Sequence, residues 1–206
     1  MSKKGKTKAW LKSHVNDPYV KAAQQHGHRS RASFKLIEFQ DKYQFIKQRE
    51  NVCDLGAAPG SWSELAKKWV GPKGKVVACD LLEMEPIDGV IFIQGDFTET
   101  STQKKLRDEL NDQLFDIIIS DMAPNTTGHQ ETDKIRSISL TEKVLYFCNN
   151  NLKKNGNCLV KVFQGSGFDS VAANFKKSFA RTSIKKPQAS KSSSKEVYIF
   201  ATGFKG

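Results

Sequence analysis

Cysteine and long apolar runs are both scarce in this sequence. The cysteines, which lie in apolar stretches and show no C-x-x-C spacing, are Cys53, Cys79, Cys148 and Cys158. The absence of that spacing favours reduced thiols in a core over a metal site or disulfides. No segment approaches the roughly 18 apolar residues of a membrane span, and the lysine-rich start lacks the apolar segment of a signal peptide. We therefore expect a cytoplasmic protein without a metal site.

Glycine is missing where the common phosphate-binding motifs need it. The segment Asn51–Trp62 reads NVCDLGAAPGSW, an apolar run that stops at an acid and breaks into a turn bounded by Gly56 and Gly60. It lacks the third glycine of the dinucleotide fingerprint and the G-K-[ST] of the P-loop. Glycine at these two positions still lets the backbone turn sharply and approach a ligand. We expect this turn to hold a ligand by groups other than its phosphates.

Positive charge is abundant but unevenly distributed. Residues 1–35 carry nine Lys/Arg against one acid (9 − 1 = +8), residues 36–170 carry 16 against 20 (−4), and residues 171–206 carry eight against one (+7). Two basic ends around an acidic middle favour one polyanion-binding surface, with a solubilising tail and solvated helix faces as the alternative. Charge alone does not distinguish RNA from DNA or acidic lipid, although the basic tail lacks the apolar face that membrane binding needs.

Short apolar runs alternate with amphipathic stretches, which predicts an α/β fold with a mostly parallel, seven-stranded sheet and helices on both faces. Only a polar loop separates the last two strands, so they should form an antiparallel hairpin. We expect a basic, partly disordered arm over residues 1–30 and one domain over residues 31–206. Predicted strands are 52–55, 75–81, 90–95, 115–120, 158–163, 183–186 and 196–204, and predicted helices are 31–45, 61–70, 102–110, 135–152 and 169–179.

Acids stand at the ends of the first four predicted strands: Asp54, Asp80, Asp96 and Asp121. Ligands of such sheets bind outside the carboxyl ends of the strands, where Asp80 has the position of a ribose-binding acid and Asp96 could accept a hydrogen bond from an adenine amino group. Acids also close strands simply because they are good turn and cap residues. A nucleoside site with acids rather than lysines favours S-adenosylmethionine, whose sulfonium is positive, over NAD.

A lysine, Lys161, stands in the middle of a strand that should be buried. An unpaired ammonium there would cost several kcal/mol, so a partner or a function is required. The last strand runs antiparallel to the others, so its first residue, Glu196, should lie at the same sheet edge as Asp121, and Lys35 could also reach that edge. Two interpretations stay open from spacing alone: catalysis by Lys161, or a structural ion pair of Lys161 with Glu196.

Six segments occur in an order that is typical of one known family: RSRASFKL, DLGAAPGSW, ACDLLEMEPIDGVIFIQGDF, SDMAPNTTG, LVKVFQGSGFD and SKEVYIFATG. They resemble the FtsJ/RrmJ family of ribosomal RNA 2′-O-ribose methyltransferases, and the similarity runs from about Ala9 to the C-terminus. The resemblance implies a Rossmann-like, S-adenosylmethionine-dependent methyltransferase fold. Ser61 departs from the bacterial pattern, where a second glycine is common, but a hydroxyl at a helix start is compatible with the turn.

The resemblance also implies residue roles. Its catalytic tetrad falls on Lys35, Asp121, Lys161 and Glu196. The family's cofactor contacts fall on Gly60, Trp62, Asp80, Asp96 and Asp121. The strand-end pattern adds Asp54 and Gly56 to the expected cofactor site.

The implied acceptor is the ribose of a uridine in the A loop of 23S ribosomal RNA, within the assembling 50S particle, and we expect a monomer. Lys161 would orient and deprotonate the 2′-hydroxyl for in-line methyl transfer. Whether Lys161 is a good base stays open, because Lys35 and the two acids of the tetrad act on it in opposite directions.

Three alternative functions are consistent with parts of the sequence. A nucleotide-cofactor oxidoreductase would need the missing third glycine. A non-catalytic RNA-binding or assembly protein would need neither Lys161 nor the strand-end acids. A transfer RNA or messenger RNA cap ribose methyltransferase of the same superfamily is the remaining alternative, although the compact length and the basic arm favour the ribosomal type.

Overall fold

The sheet of this protein contains seven strands in the order β3-β2-β1-β4-β5-β7-β6. The computed structural model describes residues 17–124 and 128–206. The strands are β1 Asn51–Leu55, β2 Lys75–Asp80, β3 Val90–Gln94, β4 Phe115–Ser120, β5 Leu152–Phe163, β6 Phe179–Lys185 and β7 Glu196–Phe204. The helices are α1 Pro18–Gln25, α2 Ser33–Tyr43, α3 Ser61–Val70, α4 Thr100–Asp108, α5 Gln130–Asn151 and α6 Phe168–Ser178.

The strand order reverses between β1 and β4. β1 pairs in parallel with both β2 and β4, and β4 pairs in parallel with β5, whereas β7 is antiparallel to β5 and to β6. The reversal leaves a crevice beyond the carboxyl ends of β1 and β4, which is where ligands of such sheets bind. The predicted fold class, with its antiparallel C-terminal strand, is confirmed.

Two apolar layers cover the two faces of the sheet. One layer packs α5 and α6 onto the sheet through side chains such as Phe147 and Phe175, and the other packs α2 and α3 through Leu36 and Trp62. Each large side chain buried in this way contributes roughly 1.5–3 kcal/mol. The predicted helices on both faces are therefore present. All four cysteines are buried and free.

Helix α3 shows how the sequence positions the functional edge. Its apolar residues recur with helical spacing, so that Trp62, Leu65 and Ala66 are buried against the sheet. Gly60, with φ 97°, precedes the helix, and Gly71, with φ 69°, ends it. Both positions have positive φ, which glycine adopts without a steric cost. The first turn of α3 is thereby fixed directly after β1, at the crevice.

Several elements differ from their predicted bounds, among them α5, which begins at Gln130 rather than at residue 135, and β6, which spans Phe179–Lys185 rather than 183–186. β5 begins at Leu152 rather than at residue 158. Leu152 pairs with Phe115 and Asn157 pairs with Ile117, and the polar residues between Leu152 and Asn157 form a register shift that gives no apolar signal. Helix α1 was not predicted, although Asp17 caps it by accepting a hydrogen bond from the Tyr19 N–H at 2.9 Å. Residues 1–16 of the expected arm lie outside the described residues, so its boundary stays a prediction.

Among the described residues, no helix has both the length and the hydropathy that crossing a membrane requires.

Candidate active site

The glycine turn after β1 is held in place by main-chain hydrogen bonds. The Gly56 N–H donates to the Cys79 carbonyl at 2.8 Å, and Gly56 and Gly60 have φ values of 72° and 97°. A Cβ added at Gly60 would lie 2.5 Å from Cδ1 of Ile87, which is closer than real Cβ atoms approach. The turn therefore packs directly against the loop that follows β2, and glycine at position 60 permits this contact.

Asp80 joins the turn to that loop. One of its carboxylate oxygens accepts the Ala58 N–H at 2.9 Å, and the other accepts the Leu82 N–H at 2.8 Å. Each carboxylate oxygen can accept more than one hydrogen bond, so both can also receive hydroxyl protons of a ribose. Asp80 is only partly buried and stands at the end of β2, as the sequence predicts.

Asp96 lies beyond the end of β3. Its Oδ1 accepts the Thr98 N–H at 2.8 Å and the Thr98 hydroxyl at 2.7 Å. Burial raises the pKa of Asp96, but the two Thr98 hydrogen bonds outweigh burial, so the pKa lies below its ordinary value. Asp96 is thus a fixed, ionised acceptor at the crevice.

Asp54 is the acid that the fold buries most deeply, with 1% of its surface exposed. The Ser63 hydroxyl donates to Asp54 Oδ2 at 2.6 Å. Burial, together with the charges of Asp121 and Asp80, raises the pKa of Asp54 to about 7, and the Ser63 hydrogen bond only partly opposes this. A positive charge in the crevice would stabilise the ionised form of Asp54.

Four charged side chains alternate in sign at the carboxyl ends of β4 and β5. The Lys161 ammonium lies 3.0 Å from Asp121 Oδ1 and also donates to the Asp121 main-chain carbonyl. The Lys35 ammonium lies 2.7 Å from Glu196 Oε1 and 3.5 Å from Asp121 Oδ1. The structure therefore brings together the four residues that the sequence assigned to catalysis.

Asp121 is the centre of this cluster. Burial alone would raise its pKa, but Lys161, Lys35 and a hydrogen bond from Tyr198 outweigh burial and hold the pKa of Asp121 below its ordinary value. Both lysine side chains are only 9% exposed. Because breaking a buried pair leaves an uncompensated charge, each member depends on its neighbours.

Of the two interpretations left open for Lys161, the structural ion pair with Glu196 is wrong. Lys161 pairs with Asp121, and Glu196 pairs with Lys35. The register explains the difference, because Tyr198 rather than Glu196 lies directly opposite Lys161 in the β5–β7 ladder. The sequence reveals the direction of the last strand but not this register.

Tyr198 was missed by the sequence analysis. Its hydroxyl donates to Asp121 Oδ1, lies 3.5 Å from Glu196 Oε1, and its ring centroid is 5.5 Å from the Lys35 ammonium. Burial and the two neighbouring carboxylates raise the pKa of Tyr198 well above its ordinary value, so the phenol stays a donor. The signal was its position two residues after Glu196, which puts both side chains on one face of β7.

Ser190, in the loop between β6 and β7, was also missed. Its hydroxyl donates to Glu196 Oε1 at 2.7 Å, and the residue is 8% exposed. The Arg31 guanidinium donates to the neighbouring Ala189 carbonyl and fastens the loop to the start of α2. A polar loop gives no periodic signal, so its sequence alone does not indicate this contact.

The Trp62 side chain belongs to the core behind the crevice. It is 2% exposed, its indole N–H donates to the Ala32 carbonyl at 2.8 Å, and its ring lies 5.9 Å from that of Tyr198. The main-chain N–H of Trp62 is in the first turn of α3, where N–H groups lack partners within the helix. A cofactor contact of Trp62 through its main chain stays a prediction.

The groups at this edge suit S-adenosylmethionine. Partly exposed carboxylates suit its hydroxyl and amino groups, and the buried Asp54 suits a cation.

The chain is similar to proteins that are described as methyltransferases. The family described as FtsJ-like methyltransferase matches residues 28–204. The ribosomal RNA large subunit methyltransferase E of Francisella tularensis subsp. tularensis (strain SCHU S4) is 51% identical over 206 residues, and that of Francisella philomiragia subsp. philomiragia is 50% identical, with 100% of each chain covered in both comparisons. The crystal structure of a protein described as a ribosomal RNA methyltransferase from Plasmodium falciparum aligns with a TM-score of 0.78 and 31% identity, over 87% of this chain and 100% of that chain.

Proposed function

The chain belongs to the FtsJ-like methyltransferase family, and we propose that it transfers a methyl group from S-adenosylmethionine to the 2′-hydroxyl of a uridine ribose in 23S ribosomal RNA. The observation that carries this proposal is the alternating cluster of two lysines and two carboxylates beside the crevice. Such a cluster suits the positioning and deprotonation of a hydroxyl. The similarity to ribosomal RNA large subunit methyltransferases E supports large-subunit RNA as the substrate.

The cofactor would occupy the crevice between the glycine turn and the loop after β2. Asp80 would accept hydrogen bonds from the ribose hydroxyls and Asp96 one from the adenine amino group, while the main chain from Gly56 to Trp62 would line the site. When bound, S-adenosylmethionine supplies the electrophilic methyl group.

Lys161 would act on the acceptor hydroxyl. Its ammonium has three N–H donors, and two contacts with Asp121 fix its position, so a third donor direction remains for the ribose oxygen. Lys35, held by Glu196 and Asp121, places a second positive charge beside the first. The positive charge of Lys35 favours the ionised, nucleophilic form of the hydroxyl. In its neutral form Lys161 would keep two N–H donors for Asp121 and accept the hydroxyl proton with its lone pair.

RNA is the expected acceptor because only RNA carries a 2′-hydroxyl. The net charge of +11 supports attraction to a polyanion independently of base sequence. We extend the proposal to the A loop within the assembling 50S particle as the substrate, and to a monomeric enzyme.

The proposal is tested by incubating the protein with methyl-labelled S-adenosylmethionine and large-subunit particles from cells that lack this enzyme. We expect label in the large ribosomal RNA and none in particles that already carry the modification. A protein with Asp121→Asn serves as the control, because it should bind RNA but transfer little methyl. Label in protein or lipid, or no label at all, would contradict the proposal, and binding of RNA without transfer would favour the non-catalytic alternative.

A further inference from the structure

A groove runs between helix α2 and the edge strand β6. Two adjoining cavities of about 400 and 90 Å³ form it, and Tyr43 lines both. We call it the α2–β6 groove and define it by the side chains that line it: Lys42, Tyr43, Lys47, Arg181, Ser183 and Lys185. It lies on the same face of the sheet as α2 and α3 but outside the residues assigned to catalysis or to the cofactor.

The register of β6 explains why this face is polar. Arg181, Ser183 and Lys185 lie opposite Thr202, Phe200 and Tyr198 of β7, respectively. Directly opposed residues point to the same face of a sheet, and Phe200 and Tyr198 both belong to the apolar layer under α2 and α3. The three β6 side chains therefore point to that face, where a covered strand would carry apolar residues.

The groove is positively charged. Its lining contains the cations Lys42, Lys47, Arg181 and Lys185, whereas its one lining carboxylate, Glu38, accepts the Gln188 N–H at 2.7 Å. Within residues 17–124 and 128–206, neither Arg181 nor Lys185 forms an ion pair. Two unpaired cations on one strand face favour an anionic partner over a solvated surface with balanced charge.

An aromatic surface accompanies these cations. The rings of Tyr43 and Phe200 lie 4.7 Å apart, and the Lys42 ammonium lies 5.6 Å from the Tyr43 ring centroid. Tyr43 is only partly buried, whereas Phe200 is 6% exposed. Cations next to an accessible aromatic ring are the combination that binds single-stranded nucleic acid, because phosphates and bases alternate along the strand.

The groove leads towards the catalytic cluster. Helix α2 carries Lys35 of the cluster near its start and Tyr43 at its end, a separation of about 12 Å at the helical rise per residue. At the end of the groove that is nearer to the cluster, Lys185 lies opposite Tyr198, whose hydroxyl contacts Asp121. A strand of a few nucleotides would span this distance.

We propose that the α2–β6 groove binds the single-stranded RNA next to the methylated nucleotide, with Arg181 and Lys185 on phosphates and a base on the Tyr43 ring. This inference rests on the proposed function, because it takes the acceptor to be RNA. It gives the compact domain itself a second RNA contact besides the basic arm.

The test compares two variants with the same net charge. The groove variant, Arg181→Ser with Lys185→Ser, removes two cations from the groove, and the control variant, Lys176→Ser with Lys177→Ser, removes two exposed cations from α6 on the opposite face of the sheet. The Kd is measured at several salt concentrations for a single-stranded fragment of large-subunit RNA that contains the target nucleotide in its unmethylated form. Thermal unfolding and S-adenosylmethionine affinity check that both variants are folded.

The groove variant should bind this RNA about tenfold more weakly near 0.15 M salt. The slope of the logarithm of its binding constant against the logarithm of the salt concentration should be shallower by about 1.4, because two phosphate contacts of about 0.7 each are lost. The control variant should match the wild type. In a second pair, Tyr43→Leu should weaken binding at least about fivefold, and Tyr43→Phe should preserve it because the ring remains.

Equal affinities and slopes for the groove and control variants would overturn the inference, even if the wild type methylates RNA. Equal losses in both variants would also overturn it, because they would reflect net charge alone. Two results together would assign the groove to a protein partner instead. The groove variant would keep its RNA affinity, and an acidic peptide would displace RNA from the wild type but not from the groove variant. Failure of the wild type to methylate RNA would instead contradict the proposed function.

Discussion

Replacing Lys161 by arginine separates the two roles proposed for this residue. The arginine keeps the positive charge and can pair with Asp121, which Lys161 contacts at 3.0 Å. It cannot release its proton in the working pH range, and its planar guanidinium has a different shape. The change therefore removes proton acceptance while it preserves the charge that Asp121 needs.

We expect Lys161→Arg to fold, to bind S-adenosylmethionine normally and to transfer methyl at least about a hundredfold more slowly. That factor is the low end of what loss of a general base usually costs, and it corresponds to about 2.7 kcal/mol of activation free energy. Cofactor affinity should be unchanged because Asp80 and Asp96 lie at the ends of other strands, and because arginine keeps the positive charge that pairs with Asp121. The assay is single-turnover methyl transfer at saturating RNA and cofactor.

Lys153→Arg is the matched control. Lys153 lies on the same strand and pairs with Asp116 at 2.8 Å, away from the cluster, so its replacement should leave the rate unchanged. Near-normal transfer by Lys161→Arg would refute proton removal by Lys161 and leave only its charge.

Three further changes test other parts of the site. Asp80→Ala should weaken S-adenosylmethionine binding about tenfold to a hundredfold in calorimetry, because charge-assisted hydrogen bonds are lost. Asp54→Asn should flatten the pH dependence of stability in urea unfolding without cofactor. The pKa of Asp54 is about 7 in the folded protein against an ordinary 3.8. The contribution of Asp54 to the free energy of unfolding is therefore fully present below about pH 4, and on the order of 4 kcal/mol of it is lost as the pH rises to 7. Ser190→Ala should lower kcat about fivefold to tenfold, since loss of one hydrogen bond to a charged group frees Glu196, and Ser190→Thr should restore it.

Each of these expectations has a contrary result. Unchanged cofactor affinity in folded Asp80→Ala would remove Asp80 from the site, and Asp88→Ala in the following exposed loop provides the control. Parallel pH curves for wild type and Asp54→Asn would mean that Asp54 is ionised at a lower pH. A Ser190→Ala protein that is less stable but has normal kcat would make the Ser190 hydroxyl purely structural.

The strands and helices were predictable wherever an apolar pattern ends at a clear boundary. The bounds of β4, β7 and α3 agree with the sequence pattern, and polar residues or glycine stand on both sides of β7 and α3. The beginning of β5 was not predictable, because the residues of the register shift between Leu152 and Asn157 carry no apolar signal.

The charged cluster of Lys35, Asp121, Lys161 and Glu196 was predictable in its members but not in its pairing. Strand direction places Asp121, Lys161 and Glu196 at one edge, whereas the register, which sets Tyr198 opposite Lys161, decides that Lys161 binds Asp121. Ser190 depends on how a polar loop folds back over β7, and no local pattern encodes that contact.

The most direct test of the account is the chemical position of the transferred methyl group. Large-subunit RNA methylated by the wild type is digested to nucleosides, and the labelled product is identified by mass spectrometry, with Lys161→Arg as the slow control. The account predicts 2′-O-methyluridine at one position, together with resistance of the adjoining phosphodiester to alkaline cleavage, because that cleavage needs a free 2′-hydroxyl. Label on a base, or on a ribose in RNA treated with a protein that lacks both Lys161 and Lys35, would contradict it.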